Sequence, residues 1–325
     1  MRILVTGSNG FIGYHLTKKL ITYIDFSVIG IDKNANARQK ELIKSDIHNN
    51  YICIPCSITD IKSLKDIFDN HKFDIVIHLA GMAGVRQSLD NPDLYMDTNV
   101  NGFHNILKCC VKYGIKNLIY ASSSSVYGET ELKALSENDN TDSQQSIYAA
   151  TKKIDEILAQ SYSNLYGINA VGLRFFTVYG PFGRDDMFYS TATKKMLNNE
   201  TIKIFNNGQM KRDFTYVEDV VECIVCIIFK GISNSAIYNI GNECPVDLMD
   251  FVNILKDSLM KVGLLNKNYD LESHIEYVEH QKGDVKNTFA DMSRFYNEYG
   301  YKPNTDIETG LLKFAEWWKE WKGNA

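Results

Sequence analysis

The run RILVTGSNGFIG, Arg2 to Gly13, opens the chain with a short apolar stretch followed by glycines at positions 7, 10 and 13. A strand that leads through this spacing into a helix is the entry to a doubly wound α/β fold. Its glycines let the backbone turn tightly, and their missing side chains leave the helix N-terminus open to a pyrophosphate. Asn9, Phe11 and Ile12 stand between them at the mouth of the loop. The next apolar run, Ser27 to Ile31, ends at Asp32, nineteen residues beyond Gly13. A carboxylate there accepts both hydroxyls of an adenine ribose and repels a 2′-phosphate, which favours NAD over NADP.

The same beat continues outward from this motif. Strands are expected at Tyr51 to Pro55, Asp74 to Leu79, Asn117 to Ala121 and Ala170 to Phe175. Helices are expected at Phe11 to Tyr23, Ile61 to Asn70, Asn101 to Tyr113 and Tyr148 to Tyr166. Continuous apolar strands alternating with helices mean a parallel sheet covered on both faces. Beyond Phe175 the rhythm breaks into turns, a helix near Val217 to Phe229 and a Trp-rich helix near Ile307 to Trp321. The expected organisation is a Rossmann-type NAD-binding domain over 1–175, with 214–240 packing back on it, and a smaller α/β substrate lobe over 176–325. No Pro- or Gly/Ser-rich linker separates the two, since five prolines are scattered over 325 residues.

A second wall of the cofactor site is expected from Leu79, Ala80 and Gly81 at the end of the fourth strand, with Asn99 on the following helix as a polar strut. His78, inside the run IVIHLA, reads as a hydrogen-bonded core residue. Tyr148 and Lys152, in YAATK, lie four apart and so share a helical face. An ammonium beside a phenol favours the phenolate, which suits a group that takes and returns a hydroxyl proton. Lys152 is also placed to hold a nicotinamide ribose. The serines Ser122 to Ser125, at the end of the fifth strand, supply hydroxyls that orient a substrate oxygen.

With these elements in place, the chain resembles the extended short-chain dehydrogenase/reductase family over essentially its whole length. Within that family it is most similar to the UDP-glucuronate 4-epimerases. The likeness is carried by HLAGMAGVRQSL (His78 to Leu89, with Arg86), YASSSSVYG (Tyr120 to Gly128), LRFFTVYGPFGRDDM (Leu173 to Met187), GQMKRDFTYVEDV (Gly208 to Val220) and QKGDV (Gln281 to Val285). The resemblance implies a tightly held NAD that oxidises carbon 4 of a UDP-sugar and reduces the 4-keto sugar from its other face. It makes Tyr148 the base and then the acid, and puts Ser123 on the catalytic Ser/Thr position. Ser122 then falls at the cofactor, and Ser124 and Ser125 against the sugar. Related 4,6-dehydratases carry Asp-Glu before the VYG and decarboxylating relatives a Glu; Ser124 and Ser125 stand there here.

By the same resemblance, Thr177 replaces the Asn of plain galactose epimerases, and Arg184 falls where acid-specific epimerases bind the sugar carboxylate. An alternative for Arg184 is an ordinary loop ion pair with Asp185 or Asp186. Arg212 falls on a diphosphate contact, and Gln281 and Asp284 on positions around phosphate and ribose. Met82 stands where Gln is usual, and Ser57-Ile58 where Asp-Ile caps the adenine. Such enzymes pair two helices per subunit into homodimers, here those near Asn101 to Tyr113 and Tyr148 to Tyr166. Alternatives to an epimerase for UDP-glucuronate are one for UDP-glucose or UDP-N-acetylglucosamine, a nucleotide-sugar dehydratase, and a non-catalytic NAD-binding protein.

Composition narrows the partners. Hydrophobic residues make up 44% and charged residues 23%, the balance of a globular protein with a large core. The net charge of −5 comes with no basic block able to neutralise a run of phosphates, so nucleic acid is not an expected partner. The N-terminal residues lack the pattern of a signal peptide and no 18-residue apolar run occurs, which reads as a cytoplasmic protein without a membrane partner. Among seven cysteines, Cys53/Cys56 and Cys223/Cys226 have CxxC spacing, but the first pair lies in a strand-like run and the second in a helical one. Both read as reduced core thiols and no metal site is assigned. Exhaustive chelation should leave fold and activity unchanged; one equivalent of zinc per chain by metal analysis would contradict this.

Overall fold

The computed structural model describes residues 1–34, 37–129, 133–279 and 287–322. Its strands are, in chain order, β1 (Arg2–Thr6), β2 (Ser27–Asp32), β3 (Tyr51–Pro55), β4 (Ile75–His78), β5 (Asn117–Ser123) and β6 (Asn169–Phe175). There follow β7 (Thr177–Tyr179), β8 (Ile202–Phe205), β9 (Lys211–Tyr216), β10 (Ala236–Ile240), β11 (Pro245–Asp247) and β12 (Ile275–Val278). Seven form one sheet in the order β10-β6-β5-β4-β1-β2-β3, with every neighbouring pair parallel. The chain winds one way from β1 through β2 to β3 and the other way from β4 to β6. A crevice therefore opens at the carboxyl ends of β1 and β4, where the direction of winding reverses.

Alternation along the strands explains why both faces are covered. In β1, Ile3 and Val5 enter one core cluster with Val28, Ile75 and Ile77, while Leu4 enters the opposite one with Ile29, Val76 and Leu118. Helices Phe11–Leu20, Ile61–Asn70, Gly102–Lys112 and Ile147–Tyr166 lie close to their expected places. The third begins earlier than the sequence suggests. Pro92–Tyr95 leads through a π-helical turn, Met96–Asn101, straight into Gly102–Lys112, and the wide turn turns the buried Asn99 inward.

The parallel sheet does not end at Phe175. After β7 to β9 and helix Val217–Lys230, the chain returns so that β10 pairs with β6. Helix Val217–Lys230 packs on Phe11–Leu20, with an ion pair between Lys19 and Glu222. The smaller lobe holds a mixed sheet β11-β9-β7 and the pair β12-β8. It also contains helices Phe188–Leu197 and Leu248–Lys261, which the sequence reading left as irregular chain. The lobes meet at Phe182, whose ring lies 4.4 Å from Tyr14, 5.0 Å from Trp317 and 4.6 Å from Trp321 between centroids. Pro181 O contacts His15 Nε2 at 2.8 Å and Phe182 O accepts from Arg38 Nη2 at 2.6 Å.

Helix Ile147–Tyr166 starts at Ser146, whose Oγ accepts from Ala149 N, and stops at Gly167 in the left-handed region. One buried carboxylate ties it to the sheet. Glu156 accepts from Arg174 Nε and Nη2 on β6, both at 2.8 Å, and from Ser122 Oγ on β5 at 2.7 Å. Glu156→Ala would leave the Arg174 guanidinium buried and uncompensated, so a loss of about 3–5 kcal/mol in urea unfolding is expected.

His78 closes β4 in the core, with Nδ1 2.9 Å from Thr6 Oγ1 and its ring against Phe103. Burial, reinforced by the nearby Lys152 ammonium, pushes its pKa down to about 3 from an ordinary value near 6.5. The unfolded chain takes up this proton near pH 6.5 and the folded one does not. The contribution of His78 is therefore complete above pH 6.5 and lost as the pH falls towards 3. The stability advantage over a His78→Phe variant should shrink by about 1.4 kcal/mol per pH unit below 6.5, measured by denaturant titration from pH 7 to 4.

Candidate functional site: a nucleotide cradle and a Tyr/Lys cleft

At the switch point Gly7 adopts φ +70°, and a Cβ there would stand 2.7 Å from Ala80 N. A Cβ on Gly13 would fall 2.0 Å from Gly7 O, so the loop and helix Phe11–Leu20 close on each other only without side chains. Gly10 N donates to Gly7 O at 2.9 Å and leads into the helix. Asp32, at the end of β2, accepts from Asn9 N at 3.1 Å and Asn34 N at 3.0 Å. Asn9 Nδ2 donates to Asn34 O. Arg38, which the sequence reading did not single out, donates to Asn9 O at 3.0 Å as well as to Phe182 O. This bare backbone cradle and the acid beside it fit a dinucleotide pyrophosphate and ribose.

Asn99 braces the far wall rather than facing the cleft. Its Oδ1 accepts from Met82 N at 2.7 Å, and its Nδ2 donates to Met82 O at 3.0 Å and Thr151 Oγ1 at 2.9 Å. The cleft beyond has a volume of about 670 Å³, and its walls include Phe11, Ile12, Leu79, Gly81 and Met82 from the nucleotide side. Tyr148, Lys152 and all four serines Ser122 to Ser125 line it too, as do Arg86, Thr177, Arg184 and Arg212. One face of helix Ile147–Tyr166 thus delivers Tyr148 and Lys152 to the carboxyl end of β5.

The serines are not equivalent. Ser122 Oγ is committed to Glu156. Ser123 Oγ accepts from Ser125 N at 3.2 Å and Ser125 Oγ at 2.9 Å. Lys152 Nζ is buried and donates to Ala121 O at 3.0 Å and Asp155 Oδ2 at 3.1 Å. The sequence reading missed Asp155, Glu156 and Arg174. Their signal was present, because 155, 156 and 159 continue the face of 148 and 152 and place two carboxylates where core residues belong.

Arg184 forms a bidentate pair with Asp186, Nε to Oδ1 at 2.9 Å and Nη2 to Oδ2 at 2.7 Å. It lines the cleft nonetheless, and it lies within electrostatic reach of Tyr148 and Tyr95. Arg86 sits with its guanidinium 4.7 Å from the Phe205 ring centroid. Gln281 and Asp284 fall outside the described residues. Cys56 and Cys223 are buried and burial raises both thiols, that of Cys56 to about 11. Among the described residues there is no group of three or more His, Cys, Asp or Glu placed to hold a metal, and no helix long and apolar enough to cross a membrane.

The sequence is 38% identical to UDP-glucuronate 4-epimerase 2 of Arabidopsis thaliana, over 97% of this chain and 75% of that protein. Two solved structures superpose closely, each 29% identical. UDP-glucuronic acid 4-epimerase from Bacillus cereus, with UDP-glucuronic acid and NAD, gives a TM-score of 0.88 over 98% of this chain and 99% of the other. UDP-glucose 4-epimerase from Thermotoga maritima, with UDP-glucose, gives 0.86 over the same shares. Residues 3–241 match the model of the NAD dependent epimerase/dehydratase family. With its glycine cradle, its Tyr/Lys cleft and this match over most of its length, the chain belongs to the NAD-dependent epimerase/dehydratase family.

Proposed function

We propose that the protein inverts carbon 4 of a UDP-hexuronic acid, interconverting UDP-glucuronate and UDP-galacturonate by way of a 4-keto sugar. The observation that carries this reading is the Arg184 guanidinium in the wall of the cleft that Tyr148 and Ser123 also line. The names of the relatives at 38% identity and of the Bacillus structure support it.

Gly7, Gly10 and Gly13 would receive the NAD pyrophosphate, Asp32 the adenine ribose, and Leu79 to Gly81 and Lys152 the nicotinamide ribose. NAD, when bound, supplies the acceptor that takes the C4 hydride and gives it back. Tyr148 removes the 4-hydroxyl proton and later returns it to the oxygen at C4. Ser123 orients that oxygen, with Ser124 and Ser125 against the sugar. Neither of these serines is an acid or base at neutral pH, so elimination of water has no carrier beside Ser123. The 4-keto uronic acid is a β-keto acid, and it loses CO₂ when its carboxylate rotates out of the sugar plane. Arg184 holds that carboxylate through a fork of donors. Its partner Asp186 keeps the fork oriented before substrate arrives. Thr177 and Arg86 complete the sugar wall, and Arg212 receives the diphosphate together with Gln281 and Asp284. The reading includes a cytoplasmic protein and a homodimer, the latter supported by exposed Ile157, Leu165 and Tyr166 on one of the two helices expected to pair.

Incubation with UDP-glucuronate, UDP-glucose and UDP-N-acetylglucosamine separately, followed by sugar analysis, should show turnover of the first. Preference for UDP-glucose would sink the acid assignment. Tyr148→Phe should lower kcat by about 10²–10⁴-fold while NAD stays bound. Arg184→Ala should raise KM for UDP-glucuronate roughly ten- to hundredfold and release some UDP-pentose, because it removes a charge-assisted fork.

A further inference from the structure

Asp155 lies one helical turn beyond Lys152, buried beneath the cleft and absent from its lining. Its Oδ2 accepts from Lys152 Nζ at 3.1 Å, and its Oδ1 has no hydrogen-bond partner among the described residues. A buried carboxylate with an orphaned oxygen is costly unless it does something for its partner. That partner has a second hold, Ala121 O at 3.0 Å, so Lys152 Nζ is fixed from the sheet on one side and from its own helix on the other. A four-carbon side chain keeps its ammonium in one place only through such contacts.

We propose that Asp155 is a positioning residue: its carboxylate anchors the Lys152 ammonium against the reacting end of the cleft, and its protonation releases that anchor. This rests on the proposed roles of Tyr148 and Lys152. Asp155 touches neither the cleft nor a substrate and acts only through Lys152.

The charges facing this pair explain when the anchor fails. From its own helix Asp155 meets Lys152 and Glu156, the latter neutralised by Arg174 of β6. Tyr120 of β5 lies within reach and burial raises its pKa well above the usual value, so it stays neutral. His78 of β4, near Lys152, is held neutral by burial down to about pH 3. Burial raises the Asp155 carboxyl to about 6 against the opposing pull of Lys152. Above that pH the anchor is ionised and below it the anchor is lost.

The test compares pH profiles of UDP-glucuronate turnover with a measurement independent of turnover. The unmodified enzyme should lose kcat on acidification through about pH 6 with little change in KM. Asp155→Asn keeps an oxygen that accepts from Nζ but cannot titrate, so it should stay within about tenfold of the unmodified kcat at pH 8 and lack this acid limb. Asp155→Leu, which offers no acceptor, should lose tenfold or more in kcat at every pH. Carboxyl-labelled aspartate NMR should find Asp155 titrating near pH 6, and at higher pH in Lys152→Met. The same acid limb in Asp155→Asn, or a titration unmoved in Lys152→Met, overturns the inference. If Asp155→Asn does not fold, the NMR pair decides. An unmodified protein that turns over no UDP-sugar sinks the proposed function instead, and the NMR pair still decides the anchor.

Discussion

The carboxylate of Glu156 is the joint on which the site depends. It accepts three hydrogen bonds from two adjacent strands, and it does so from the middle of the helix that carries Tyr148 and Lys152. Apolar packing alone fixes how far a helix lies above a sheet but resists sliding and rotation weakly, since one methyl contact replaces another. A two-pronged ion pair is directional and sets both. Register matters here because Tyr148 sits at the helix start, where a small rotation about the axis would carry its phenol past the end of β5. Buried charges are an expensive way to stabilise a fold, but a specific way to orient one element on another.

Around that joint the protein separates rigid from adaptable parts. The cradle at Gly7 and Gly13 is a close-packed backbone contact with no freedom to vary. The cleft lining also includes the side chains Arg86, Thr177, Arg184 and Arg212, none of them in the seven-stranded sheet, so their chemistry can change without disturbing it. Fold alone does not assign an activity, and structures of UDP-glucose and UDP-glucuronic acid epimerases superpose on this chain almost equally well. Under the proposed function, discrimination between such substrates would fall to those side chains.

Much of the first lobe was legible in the sequence because its signals are local. Glycine spacing, apolar runs bounded by turns, and Asp32 at a strand end each report on a few neighbouring residues. That 214–240 comes back to the first lobe was legible, but that Ala236–Ile240 joins the sheet there as a strand beside β6 was not, since this pairing forms only after the chain has traversed the other lobe. Helix Ala37–Ser45 was missed because it is largely polar and shows no apolar stripe. Tyr148 and Lys152, singled out by their spacing, and the serines, singled out at a strand end, are brought together in one cleft. Arg38 escaped because its contacts, Asn9 O and Phe182 O, are backbone carbonyls that leave no pattern in sequence. Asp155 escaped although it continues the face of Tyr148 and Lys152, because a carboxylate three residues after a lysine also has the spacing of a solvated surface pair.

Phe182 holds a left-handed φ of 57°, a conformation non-glycine residues seldom keep unless their surroundings over-determine it. Here the surroundings belong to both lobes, through Tyr14 on one side and Trp317 and Trp321 on the other. Arg184, two residues on, is therefore mounted on a bracket rather than on a flap. If Arg184 has the role proposed for it, a bracket makes selection a matter of fit at entry: a ligand with a carboxylate would meet a fork already held in place, and one without it would leave that fork with Asp186. Tolerance for new sugars would then be gained most readily by exchanging side chains on the bracket, while loosening the bracket itself would blur recognition of every sugar at once.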